Sequence, residues 1–430
     1  MYILEAAFEY FISLLVAGAY LAKVTSEIGM SDSLTGILTS FVSLGCGFQI
    51  FAIFLANKRP VKRWVTSLHI LNQLCFACIY VVPFFKLSRM SKTVLFVIFL
   101  LSGHIINNIV NSPKINWFMS LIDDNKRGRF TATKEIVSLI SGMLVSFTAG
   151  WVIDHYTAMG NTRRAFVFCG ISIFVLMLLH TFTLLSSKEK PAEQKEKMPV
   201  KKLLGELIHD KDLFKVILIS VLWNIAHYAA TPFYGTYQIK ELGFSMTFIS
   251  ILSALSAICR SLCSRPMGLL ADKRGFARML NICFIIHAAG FAINIFTAPS
   301  NGKILYTSYQ IFAAVSNAGI NSGAINLIYD YVDKEKRTSA LALKSTLAGI
   351  AGFLSTLIVS LLVHRVQANG NVFLGMHAYA QQVVSAIACI LTLVIVVYLN
   401  TVIRKIKNKR GSAPEEAQEQ ESAAPQEQDA

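Results

Sequence analysis

Displaced by 210 residues, this chain falls back on itself: Asn107, Asn111, Asn116, Asp123, Arg127, Lys134 and Gly142 meet Asn317, Asn321, Asn326, Asp333, Arg337, Lys344 and Gly352. The paired Asn, Asp, Arg and Lys lie in or beside segments too apolar for a soluble protein. Polar groups at membrane depth are expensive, so a polar pattern built twice points to use rather than accident. Such a chain is restricted to a duplicated membrane bundle.

The 430 residues are 54% hydrophobic and 15% charged, where a soluble domain carries about 25% charged residues. Apolar stretches of membrane-crossing length predict helices near 3–27, 34–56, 64–85, 93–119, 133–154, 164–186, 213–239, 246–270, 277–297, 303–330, 339–363 and 373–401. The expected fold class is therefore all-α and integral to the membrane, with twelve transmembrane helices in two parallel six-helix repeats. Lys and Arg crowd one set of loops: Lys58 to Arg63, Lys126 to Lys134, Lys188 to Lys215, Arg265 to Arg278, Lys334 to Lys344 and Arg404 to Arg410. The opposite loops hold only Lys86, Arg89, Lys92, Arg163, Arg164, Lys240, Lys303 and Arg365. The positive-inside rule then places both termini and the middle linker in the cytoplasm. The net charge of +15 is mostly topology, and its scatter over short loops argues against nucleic acid as a partner. No basic leader with a cleavage site opens the chain, so its first helix is expected to stay. The eight cysteines fall inside predicted helices, which disfavours a disulfide framework or a metal cage.

The predicted organisation is a six-helix bundle over 1–186, a Lys/Glu-rich linker over 187–212, a second bundle over 213–402, and a basic then acidic tail over 403–430 without the composition to fold. Further matches support the duplication. At an offset of 214, Tyr20, Glu27, Gly29 and Ser31 meet Tyr234, Glu241, Gly243 and Ser245; at 215, Leu55, Ala56, Lys58, Arg59 and Arg63 meet Leu270, Ala271, Lys273, Arg274 and Arg278. Small residues also recur every four positions, Ser138, Gly142, Ser146 and Gly150 against Ala348, Gly352, Thr356 and Ser360. That stripe lets the fifth and eleventh helices approach a neighbour closely, for sliding or for static packing.

Over residues 3–402 the chain resembles the major facilitator superfamily. The sharpest local motif is Gly268-Leu-Leu-Ala-Asp272-Lys273-Arg-Gly275-Phe-Ala-Arg278, similar to that family's G-x-x-x-D-[RK]-x-G loop. The resemblance implies a loop that latches the cytoplasmic gate, with Asp272 facing helix-end amides or a basic residue and with Lys273 and Arg278 at the lipid surface. Arg127 and Arg337, paired in the repeat, join this set. The first-half copy departs from the pattern, with Ile53, Asn57 and Pro60 in place of Gly, Asp and Gly. The fifth helix also lacks the family's drug-antiporter motif.

Polar stripes at helical spacing mark candidate solute contacts. The first helix offers Tyr10, Ser13, Tyr20, Lys23 and Glu27; the fourth His104, Asn107, Asn111 and Lys114; the seventh Asn224, His227, Thr231, Tyr234 and Gln238; the tenth Gln310, Asn317 and Asn321. The resemblance implies that these same four helices line the central cavity. Arg260, deep in the eighth helix, needs an acid, backbone carbonyls or an anionic solute. Lys23 and Glu27 read as a local pair, Lys114 as a snorkelling lysine, and His180 and His287 as packing residues. Glu5 and Glu9 sit at the very N-terminus, so Glu27 or a histidine is the expected group if a proton is coupled.

These readings point to a secondary transporter of a small polar solute, sugar-like or nucleoside-like, working by alternating access. An organic-anion transporter or exchanger using Arg260 is the alternative, and a non-transporting receptor or scaffold a further one. No catalytic triad, metal cluster, P-loop or dinucleotide loop supports an enzyme, a cofactor or ATP-driven pumping. The expected partners are the solute, membrane lipids and a proton or another coupling ion. The expected setting is a bacterial cytoplasmic membrane, with the protein a monomer.

Overall fold

The computed structural model describes residues 2–51, 61–122, 127–189, 210–329, 332 and 337–403. The predicted loop residues 52–60, most of the linker and nearly all of the tail lie outside them. The helices form twelve spans. Span 1 is Tyr2–Leu15 continued by Gly18–Ile28; span 2 is Asp32–Thr39 and Phe41–Gly47; span 3 is Val61–Ile79; span 4 is Arg89–Met119; span 5 is Arg127–Ala158; span 6 is Thr162–Ser186. Span 7 runs from Lys211–Ala230 through Thr231–Phe233 to Tyr237–Glu241; span 8 is Met246–Arg274; span 9 is Phe276–Ile295; span 10 is Gly302–Tyr329; span 11 is Arg337–Ala368; span 12 is Ala380–Thr401. Among the described residues nine helices are long and apolar enough to cross a membrane, ten with the bent pair of span 1. Span 2 falls short because it is broken into short pieces, and span 3 because it carries Lys62, Arg63, His69, Asn72 and Gln73.

The duplication is visible in the packing. Span 1 packs on spans 5 and 6, span 2 on span 4, and span 3 on spans 4 and 6; spans 7, 8 and 9 repeat these pairings with 11 and 12, with 10, and with 10 and 12. The halves meet where span 5 packs on span 8 and span 2 on span 11, two contacts that exchange places under the repeat. Side chains follow a lipid solvent: Leu144, Leu262 and Leu361 are 67%, 71% and 71% exposed, while many polar groups are buried. An apolar exterior around polar interior groups is what a bilayer selects.

The sequence repeat has local causes. Gly29 and Gly243 both hold positive φ, 79° and 64°, the left-handed conformation that ends a helix most readily with glycine. Two residues on, the hydroxyls of Ser31 and Ser245 accept the amides of Leu34 and Phe248, starting spans 2 and 8 with the same N-cap. Spans 1 and 7 are also interrupted at the same depth. Span 1 turns by 43° before Gly18, and span 7 passes through a tight turn holding Pro232, which breaks the helical hydrogen-bond ladder.

Three boundaries lie six or more residues from the sequence expectation: span 3 ends at Ile79 rather than 85, span 5 begins at Arg127 rather than 133, and the third is the start of span 12. Span 12 begins at Ala380, not 373, because Val372–Phe373 (β1) and Met376–His377 (β2) form an antiparallel hairpin. Positive φ at Gly370, Asn371, Leu374 and Gly375 makes the turns that an apolar run alone does not reveal.

Candidate functional site

Between the halves lie three contiguous chambers. One of about 420 Å³ is lined by Glu9, Tyr10, Asn107, Asn111, Lys134 and Arg260, among others. The next, about 240 Å³, shares Tyr10 and Arg260 and adds Ser253, Ser256, Gln310 and Asn317. The third, about 430 Å³, shares Ser13 and Asn107 with the first and reaches His104 and Tyr20. Spans 1, 4 and 5 supply one wall and spans 8 and 10 the other. The lining is amide, hydroxyl and guanidinium, suited to a solute with several hydrogen-bonding groups. Among the described residues Arg260 and Lys134 have no ion-pair partner; the Lys134 ammonium lies 5.3 Å from the Tyr2 ring centroid.

Toward the ends of the spans far from the chain termini, polar contacts join the halves. The Tyr20 hydroxyl donates to the Ser146 carbonyl at 2.6 Å and lies 3.0 Å from the Ser250 hydroxyl, tying spans 1, 5 and 8. Asp154 at the end of span 5 accepts the amides of Met246 and Thr247 at 2.8 and 2.7 Å, an anion on the positive end of span 8. Asp32 accepts from Lys240 at 2.5 Å and from Gln367 at 2.8 Å. The small-residue stripes serve these seams. A Cβ on Gly150 would stand 2.6 Å from the Ser250 hydroxyl and 2.8 Å from the Met246 carbonyl, and one on Gly352 would stand 2.6 Å from the Ser43 hydroxyl; beside that stripe, one on Gly349 would stand 2.5 Å from the Ser43 carbonyl. At the broken middle, a Cβ on Gly235 would meet the Gly18 carbonyl at 2.7 Å.

Of the residues singled out in the sequence, Tyr10, Ser13, Tyr20, His104, Asn107, Asn111, Arg260, Gln310 and Asn317 line these chambers. Lys23, Asn224, His227, Tyr234 and Asn321 do not. Tyr234 is buried among Tyr306 and Tyr309 with its hydroxyl on Ser385 at 2.7 Å. The Asn224 amide donates back to the Ser220 carbonyl of its own helix. His227 packs on Trp223 and Tyr228, and Asn321 is exposed.

Other expectations need correction. Lys23 and Glu27 form no ion pair, and Glu27 is exposed near the end of span 1. Lys114 does not snorkel: it is 1% exposed and pairs with Glu5 at 2.8 Å and with Glu9. Its partners lie more than a hundred residues earlier, which no local spacing shows. His180 is more than a packing residue, since it meets Glu5 at 3.0 Å and Gln73 at 2.6 Å. The expected packing role suits His287, whose ring meets the Ser316 hydroxyl at 2.5 Å.

In the motif loop, Gly268, Asp272, Lys273, Gly275 and Arg278 are all exposed. Among the described residues Asp272 has no hydrogen-bond partner, so its implied contact is not made here; the sealed seams lie at the opposite ends of the spans. Gly275 has φ 81° and joins span 8 directly to span 9, a corner that a side chain would strain. Arg337 donates to the Tyr329 carbonyl and stacks on that ring at 4.8 Å. The side chain of Arg127 and the first-half loop lie outside the described residues. Glu9, Lys134, Ser138, Ser253 and Ser256 line the chambers without having been named as solute contacts. Lys134 was marked by its match to Lys344, and Glu9 by its fourfold spacing from Glu5 and Ser13.

The model of the Major Facilitator Superfamily matches residues 3–265 and 229–426. Among solved structures, a mutant form of the nucleoside transporter NupG aligns with a TM-score of 0.70 at 16% identity, covering 93% of this chain and 98% of its own. A D-xylose-proton symporter aligns at 0.66 and 15%, covering 91% and 95%. The partially occluded, inward-open xylose transporter XylE from E. coli aligns at 0.63 and 12%, covering 96% and 98%. Curated protein sequences give no match. Family model, twelve-span duplicated bundle and interhalf cavity agree: the chain belongs to the Major Facilitator Superfamily of membrane transporters.

Proposed function

We propose that this transporter carries a small hydroxyl-rich solute of the sugar or nucleoside class by alternating access, the halves rocking about the chambers around Asn107, Arg260 and Asn317. The observation that carries the reading is the lining: amides from both halves with Tyr10 and four serines, all groups that hydrogen-bond hydroxyls. The nucleoside and xylose transporters that share the fold point the same way. Lys and Arg in the loops on the terminal side favour cytoplasmic termini, which makes the present arrangement, sealed at the opposite ends, the inward-facing one.

A second reading has its own observation. Arg260 faces two chambers with no acid partner among the described residues, and an uncompensated guanidinium at this depth suits an organic anion.

Uptake of radiolabelled uridine, xylose and citrate into proteoliposomes separates the two. Under the first reading uridine or xylose accumulates, Asn317→Ala lowers its uptake at least tenfold, and Arg260→Ala leaves more than a third. Under the second, only citrate moves and Arg260→Ala abolishes it. Protein that is folded but moves none of the three defeats both as stated and favours a receptor or scaffold role.

A further inference from the structure

Away from the chambers, spans 5 and 6 both pack on span 1 and leave between them a groove of about 450 Å³ that opens sideways into the membrane. Leu15, Ala149 and Cys169 form its floor, all buried. Leu144, Phe168, Ile171 and Val175 stand along its lips and are exposed. The two hydroxyls in its wall are turned back on their own helices, Thr148 donating to the Leu144 carbonyl and Ser172 to the Phe168 carbonyl, each at 2.8 Å. What remains for a guest is methyl, methylene and ring carbon.

The groove is particular to the first half. Spans 7, 11 and 12 repeat the packing of spans 1, 5 and 6, yet at the offset of 210 Thr148 and Ala149 meet Ile358 and Val359. Branched side chains stand there where the first half keeps small ones. Hydrocarbon that enters such a slot gains dispersion contacts on every side, and in a bilayer the hydrocarbon at hand is an acyl chain.

One end of the groove is charged. Along span 6, Arg164, Phe168, Ile171 and Val175 follow at steps of four, three and four, and along span 5 Leu144, Thr148, Trp151 and His155 do the same, so each set shares one helix face. Both faces lead to the end of the bundle where Asp154 closes the seam with span 8. There Trp151, an exposed indole of the kind that marks the membrane–water boundary, stacks on His155 at 5.0 Å. Arg164 is exposed and has no ion-pair partner among the described residues. Its neighbour Arg163 lies on the Phe84 ring at 5.5 Å, and the nearby acid, Asp154, is committed to the amides of Met246 and Thr247. An apolar slot that ends at an uncommitted guanidinium matches the polarity of a phospholipid, hydrocarbon within and phosphate at the arginine.

We infer that this groove is a binding site for one anionic phospholipid of the leaflet away from the chain termini, with an acyl chain along Leu144, Ala149 and Ile171 and the phosphate on Arg164. The chain rests on Leu15, the last residue before the bend of span 1, and beside Ala149, which precedes Gly150 in the seam with span 8. A lipid seated there braces both elements from the membrane side.

Native mass spectrometry of the full chain, delipidated in detergent and titrated with phosphatidylglycerol or with phosphatidylcholine of the same acyl chains, tests this. Wild type should take its first phosphatidylglycerol about tenfold more tightly than phosphatidylcholine, and that lipid should raise its melting temperature by mass action. Arg164→Gln should bring the two lipids within about threefold of each other. Ser172→Trp, which fills the groove, should lose the first adduct of either lipid, while Leu361→Trp, on the exposed face of span 11, should keep it. Melting curves without lipid identify the folded variants, and Thr148→Phe fills the groove from span 5 if Ser172→Trp does not fold. A first phosphatidylglycerol held equally by wild type and a folded groove-filling variant overturns the inference, and so does an undiminished preference in Arg164→Gln. No solute enters the measurement, so it succeeds or fails separately from the transport reading.

Discussion

A lysine inside a bilayer reaches water, finds an acid or gives up its proton. Lys114 has taken the second course twice over, with Glu5 and Glu9. Removing one partner of a buried charge set leaves the rest uncompensated, which typically costs about 3–5 kcal/mol. Lys114→Met, close in volume, should therefore lower the melting temperature sharply in detergent, whereas Glu9→Gln, at the exposed edge, should lower it much less. A Lys114→Met protein as stable as wild type would show that the ammonium contributes nothing there. The stripes of span 4 and span 10 could be read from spacing alone, and Asn107, Asn111, Gln310 and Asn317 do line the chambers. Lys114 could not be read that way, because snorkelling and pairing look alike until another helix is placed beside it. Tyr234 failed for a related reason: a tyrosine on a polar stripe is equally well satisfied by a buried partner such as Ser385.

Among the elements, spans 5 and 8 form a close seam between the halves. Gly150 is there because its place is filled by the Met246 carbonyl and the Ser250 hydroxyl, and backbone cannot step aside as a flexible side chain can. Gly150→Val should destabilise the sealed arrangement by about 1–3 kcal/mol through overpacking. Gly268→Val, where a Cβ meets nothing within 4 Å, should leave the melting temperature within about a degree of wild type. Equal shifts in the two variants would refute a tight seam at Gly150. The twelve spans follow from hydropathy because length and apolarity decide what can cross a bilayer. Their interruptions do not. The bend before Gly18 and the turn at Pro232 lie within continuous apolar runs, and the β1–β2 hairpin was hidden in an apparent start of span 12. Backbone conformation at glycine, asparagine and proline decided these places.

In the whole molecule, two pseudo-equivalent seams close one end with different chemistry. At one, Asp154 holds the first amides of span 8; at the other, Asp32 gathers Lys240 and Gln367. Each works across the halves, so each must break when that end opens. Loss of a helix-capping acid costs about 0.5–2 kcal/mol, enough to move a two-state population several-fold. Spin labels on Thr157 and Ser245 should report a longer mean separation in Asp32→Asn/Asp154→Asn than in wild type, and an unchanged distribution would mean that these acids do not hold the seal. The two catches also differ in how they tolerate mutation. The Asp32 catch depends on the identity of three side chains, any of which a single codon change can remove. The amides that Asp154 grips are supplied by every residue except proline, so the catch itself makes no demand on the side chains at 246 and 247, and Met246 answers only to the core in which it is buried.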